Sequence, residues 1–95
     1  MAAYLIARVE VTNSDAYENY KKLAAEAIAQ YEGRYLARGG TMETLEGDEE
    51  SRRVVIVVFP TLEQAKKFYN SPEYAEAKAA REGAAKGQFV IVDGI

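Results

Sequence analysis

The run Val54–Phe59, Val-Val-Ile-Val-Val-Phe, constrains the fold of this chain more than any other segment. Side chains alternate along a β-strand, so Val54, Ile56 and Val58 point one way and Val55, Val57 and Phe59 the other. A strand with one face in water shows a polar side; this one shows none. Both faces need cover, and the rest of a 95-residue chain has enough apolar material to cover one of them.

The pattern on either side of this run supplies the other elements. Tyr4–Val11 alternates, with Leu5, Ala7, Val9 and Val11 on one face and Tyr4, Ile6, Arg8 and Glu10 on the other. Asn13 is placed as an N-cap and Asp15 in a first helical turn. Tyr17, Tyr20, Leu23, Ala24, Ala27, Ile28 and Tyr31 recur at steps of three and four, the stripe of an amphipathic helix, with Gly33 as its expected terminator. Arg34–Arg38 reads as a second strand. Gly39-Gly40 permits a bend or bulge, and Thr41–Glu46 is expected to continue extended to an acidic tip at Glu46–Glu50.

Arg53–Phe59 is the third strand. Thr61 and Gln64 form a capping box for a second helix, with Leu62, Ala65, Phe68 and Tyr69 on its apolar side. Ser71-Pro72-Glu73-Tyr74 restarts that helix, Gly83 closes it, and Gln88–Ile95 is the last strand. The order β-α-β-β-α-β predicts one domain over residues 1–95, a ferredoxin-like α+β fold. Its four-stranded antiparallel sheet has both helices on one face and the first and third strands central. Central placement explains one apolar face of Val54–Phe59. The other face predicts a homodimer in which two sheets pack face to face.

Composition narrows the chemistry. The net charge of −3 argues against general nucleic-acid binding, which needs a basic surface. No apolar run approaches the ~20 residues that span a bilayer, and no basic leader with a cleavage site is present. With no Cys there is no disulfide framework, so we expect a cytoplasmic protein without a membrane partner. The chain has no His, the side chain best suited to proton transfer near neutral pH and the usual ligand of haem and zinc. No metal motif, nucleotide-binding glycine loop or nucleophile elbow is present, so we expect no metal and no cofactor.

What remains is Tyr, Arg, Lys, Asp and Glu. Arg38 ends a strand beside Gly39-Gly40; it fits either a bidentate grip on a carboxylate or enolate oxygen, or a pair with an acid such as Glu46. Tyr74 and Arg81 stand two turns apart on one helical face, a phenol and a cation able to close a pocket, unless Arg81 serves the helix C-terminus. Tyr17 and Tyr20 belong to the apolar stripe, with hydroxyls that need partners if buried. Ser71 reads first as a cap. Arg8, among apolar neighbours, calls for an acid such as Glu10 or Glu46. The acidic tip lacks calcium-loop spacing and reads as a solvated turn with Glu46 at its base.

The ordered set Tyr4-Leu-Ile-Ala-Arg-Val-Glu-Val-Thr12, Tyr17-x-x-Tyr20, Gly33-Arg-Tyr-Leu-Ala-Arg-Gly-Gly40, Leu45-Glu-Gly47, Val58-Phe-Pro60, Ser71-Pro-Glu-Tyr74 and Arg81 resembles the family called domain of unknown function 1330. Asn13-Ser14 stands where that family often has Asp-Pro, and Glu32 where a Gly often precedes Gly33. The resemblance implies the dimeric α+β barrel superfamily, in which two ferredoxin-like protomers join their sheets and small ligands enter a cavity between sheet and helices. Its members include cofactor-independent monooxygenases, muconolactone isomerases and haem-binding proteins; the lack of His disfavours the last.

Two functions follow as expectations. One is a homodimer that binds a small, partly aromatic or carbonyl-containing metabolite through Tyr17, Tyr20, Arg38, Ser71, Tyr74 and Arg81. In an enzymatic version, oxygenase- or isomerase-like and cofactor-independent, Arg38 and Arg81 stabilise oxyanion charge, and Glu46 or a tyrosine such as Tyr74 moves the proton. The other is a non-catalytic ligand sensor or structural oligomerisation module. The sequence leaves open whether the protein is an enzyme.

Overall fold

The computed structural model describes residues 1–95 as a slab of 33 × 32 × 16 Å, one sheet thick and one helical layer deep. The elements are β1 (Ala3–Val11), α1 (Ser14–Gln30), β2 (Arg34–Arg38), β3 (Arg53–Phe59), α2 (Leu62–Tyr69), α3 (Pro72–Arg81) and β4 (Ala85–Asp93). The sheet is antiparallel in the order β2-β3-β1-β4, so the first and third strands are central as the apolar pattern requires. The expected second helix is two: α2 ends at Tyr69, and Ser71 with Pro72 at N1 starts α3 afresh.

All three helices cover one face of the sheet. Ala3, Leu5, Ala7 and Val9 of β1 and Val57 and Phe59 of β3 are buried there against Tyr17, Tyr20, Ala24, Ala27 and Ile28 of α1, Phe68 of α2 and Tyr74 of α3. Caps fix where the helices begin. Asn13 Oδ1 accepts from Ala16 N at 3.2 Å, Thr61 Oγ1 from Gln64 N at 3.0 Å, and Ser71 Oγ from Tyr74 N at 3.0 Å.

The end of α1 departs from expectation by one residue. Glu32, not Gly33, takes the left-handed conformation at φ 66°, and the chain closes a Schellman motif through Glu32 N to Ala29 O and Gly33 N to Ile28 O. Gly33 is required instead by close approach, since an added Cβ would stand 2.7 Å from Phe59 Cε1.

The bend expected at Gly39-Gly40 is present, with Gly39 at φ 67°, and a bulge lies earlier, within β2: Tyr35 pairs with Val57 and Ala37 with Ile56, so Leu36 is the extra residue. Against expectation, residues 40–52 form no strand; Thr41–Glu46 is an exposed loop, and Glu50 N donates to Thr44 Oγ1 at 3.0 Å. Glu50 also takes the role expected of Glu10 or Glu46: its carboxylate meets Arg8 Nε at 3.2 Å and Arg52 Nε at 3.0 Å.

The opposite face of the sheet is left open by the protomer. Tyr4, Ile6, Val54, Ile56 and Val58 are only half-buried, and Leu36, Val90 and Val92 are 54%, 42% and 47% exposed.

Candidate functional site

A cavity of ≈ 30 Å³ lies between the sheet and α1, with room for about two water molecules. Its floor is Leu5, Ala7, Val9, Val55 and Val57, and its walls include Tyr17, Tyr20, Phe68, Tyr74 and Phe89. The polar groups at its edge are Lys21, Tyr35, Arg38 and Arg53, with no Asp or Glu among the lining residues.

The helix stripe carries Tyr17 and Tyr20 to this place. Both are buried, with ring centroids 5.1 Å apart, and Tyr20 Oη lies 2.7 Å from Tyr74 Oη. Arg81 Nη1 donates to Tyr74 Oη at 3.2 Å, so the two residues spaced by two helical turns do meet. The Arg81 guanidinium also stacks on Phe89, 4.4 Å from the ring centre, rather than serving only the end of α3. Burial pushes the phenols of Tyr17, Tyr20 and Tyr74 above their ordinary value, so all three are neutral hydroxyls at physiological pH.

The bulge at Leu36 decides the position of Arg38. Strict alternation from Tyr35, which faces the helices, would turn Arg38 away from them. The extra residue sets Arg38 opposite Val55, on the helix side, where it lines the cavity with its guanidinium 4.4 Å from the centre of the Tyr35 ring. Arg53 lies two residues before Val55 and so shares that face. Its Nε is buried and has no hydrogen-bond partner.

The structure therefore gathers Tyr17, Tyr20, Arg38 and Tyr74 at the cavity and ties Arg81 to them. It does not gather the other two candidates. Ser71 is buried but committed to the chain itself, donating to Phe68 O at 2.7 Å and accepting from Tyr74 N. Glu46 is exposed in the loop after β2 and does not line the cavity, because the loop departs from the strand direction after Gly39. Lys21, Tyr35 and Arg53 were not among the expected site residues. For Arg53 the signal was present: alternation carried back from Phe59 through Val57 and Val55 puts it on the helix side.

A family model described as Domain of unknown function (DUF1330) matches residues 2–95. The chain belongs to that family. No curated protein matches it. Several solved structures share its fold. A protein of unknown function from Rhodopseudomonas palustris aligns at a TM-score of 0.78 and 18% identity, over 99% of this chain and 82% of that one. SnoaB, a cofactor-independent oxygenase from Streptomyces nogalater, aligns at 0.71 and 15%, over 99% and 93%. A dimeric ferredoxin-like protein of unknown function from Thermobifida fusca aligns at 0.66 and 13%, over 99% and 92%. At these identities the likeness is one of fold.

Proposed function

We propose that this member of the family acts as a homodimer that binds a small, partly aromatic or carbonyl-containing metabolite in the cavity between sheet and helices of each protomer. One observation carries the reading. A cavity walled by aromatic and aliphatic side chains has a polar edge of phenols and arginines, the lining expected for a flat ligand with oxygen atoms at one end. The open apolar face of the sheet, and the dimeric state of a relative with the same fold, support the assembly.

Cofactor-independent oxygenase- or isomerase-like chemistry is the enzymatic form of this proposal, supported by the likeness in fold to SnoaB. In it the arginines stabilise developing oxyanion charge and a phenol positions the reacting oxygen. A second reading, a non-catalytic sensor or structural module, is favoured by the small volume of the cavity and by the Tyr20–Tyr74–Arg81 chain, whose members satisfy one another.

A crystal structure of the intact dimer from freshly purified protein separates the two. The metabolite reading expects a bound small molecule between sheet and helices in each protomer. A closed, dry cavity with every arginine salt-bridged would sink it and leave the structural module.

A further inference from the structure

The cavity carries positive charge that the protomer does not neutralise. Arg38 closes β2, Arg53 opens β3, and both line the cavity. Arg38 stands opposite Val55, so Arg53 is its diagonal neighbour on the same face. Two cations so placed repel each other unless something negative lies between them.

Nothing in the chain fills that role. Acids outnumber bases, 15 to 12, and Glu43, Glu46, Asp48, Glu49 and Glu50 sit on the very loop that joins these two arginines. Yet the ion pairs of the protomer go to Arg8, Lys21 and Arg52. Arg38 is exposed at the cavity edge, with the face of its guanidinium on Tyr35 and no ion pair within the protomer. Arg53 has a buried Nε with no acceptor at all.

The backbone also makes room for Arg53. Gly39 has φ +67°, donates to Val54 O at 2.9 Å, and would place an added Cβ 2.8 Å from Arg53 Cζ. The glycine after Arg38 thus holds the neighbouring strand close while leaving space for the guanidinium. The residues that shape this corner serve a half-buried cation whose buried Nε lacks an acceptor, which an anion would supply.

We propose that the cavity selects an anion, a ring-sized acid whose carboxylate or enolate oxygens accept from Arg53 and Arg38 while its apolar part lies against Tyr17, Val55 and Phe89. This deepens the metabolite-binding reading and rests on it. The chain has no His and the lining has no carboxylate to take a proton from a neutral ligand. The negative charge has to arrive with the ligand. Because the free space is ≈ 30 Å³, entry of a ring needs the cavity to widen, and the solution state is where this is tested.

The test is calorimetric titration of the full-length chain with benzoate and with its neutral isostere benzamide, each with Arg53→Gln, Arg53→Lys and Arg38→Gln alongside the parent. The expected result is at least about tenfold tighter binding of benzoate than of benzamide, a difference abolished by Arg53→Gln and partly kept by Arg53→Lys, with unchanged far-ultraviolet circular dichroism. Arg38→Gln, at the other arm of the pair, should weaken benzoate alone. Equal binding of the two probes, or benzoate binding that none of the variants alters, overturns selection of an anion and leaves a small-molecule cavity standing. Failure of both probes to bind at millimolar concentration overturns the cavity reading and this inference with it.

Discussion

The hydroxyls of Tyr20 and Tyr74 are 2.7 Å apart, joining α1 to α3 across 54 residues of sequence inside the aromatic wall of the cavity. The two partners are not equivalent. Tyr74 also accepts from Arg81, whereas Tyr20 has Tyr74 alone among side chains. Tyr20→Phe removes one hydrogen bond and leaves Tyr74 served by Arg81, for a loss of about 1 kcal/mol. Tyr74→Phe strands both the Tyr20 hydroxyl and the Arg81 donor, for about 1–3 kcal/mol. Urea unfolding of both variants and the double mutant checks the ranking; a larger loss for Tyr20→Phe would contradict it.

The same burial makes the fold sensitive to alkali. Tyr17, Tyr20 and Tyr74 are all raised above their ordinary value of 10.0 by removal from water. A group that holds its proton more tightly when folded leaves stability intact below the unfolded value and erodes it as pH rises beyond, because only the unfolded chain ionises there. Urea midpoints should therefore hold steady up to about pH 10 and fall above it. Phenolate absorbance should show part of the tyrosine signal appearing only with unfolding. A single smooth titration of all seven tyrosines in folded protein would refute this.

Glu32 offers a stabilising change. It occupies the left-handed C′ position of a Schellman motif, where a side chain is strained and glycine is not. Glu32→Gly should raise stability by about 0.5–1 kcal/mol, the relief of strain offset in part by the greater freedom of glycine in the unfolded chain. Gly33→Ala, one residue on, should do the reverse, because its Cβ meets Phe59 and Ile28. Thermal melts of the two variants decide, and a neutral or destabilising Glu32→Gly would mean that the cap tolerates a side chain without strain.

These positions show what the sequence could and could not reveal. The two apolar faces of Val54–Phe59, the stripe from Tyr17 to Ile28 and the two-turn spacing of Tyr74 and Arg81 are local periodicities, and they survive intact in the fold. The position of Arg38 was not legible by the same means. It depends on an extra residue inside β2 that only pairing with β3 exposes, and a shift of one residue reverses the face of every side chain beyond it. The acid that meets Arg8 was equally hidden. Glu50 and Glu46 are indistinguishable in an acidic run, and the return path of the loop selects between them. The face of Arg53 was legible, because alternation traced back from Phe59 through Val57 and Val55 reaches it.

The outer face of the sheet yields the last prediction. Ile6 of β1 stands between Ile56 of β3 and Val90 of β4, and Tyr4 between Val58 and Val92, so two apolar rows cross the three strands opposite the helices. Each large aliphatic fully withdrawn from water there contributes roughly 1.5–3 kcal/mol. In a two-fold dimer every such residue is counted twice, and so is every charge put in its place. Ile56→Lys should then cost the assembly roughly 3–6 kcal/mol, raising the dissociation constant by at least about a hundredfold. Sedimentation equilibrium at micromolar concentration should find a dimer for the parent chain and a monomer for the variant. Gln88→Lys, on the same face of β4 but outside both apolar rows, should leave the dimer intact. A monomeric parent would remove the partner sheet as the cover of this face; a dimeric Ile56→Lys would place the contact elsewhere on the protomer.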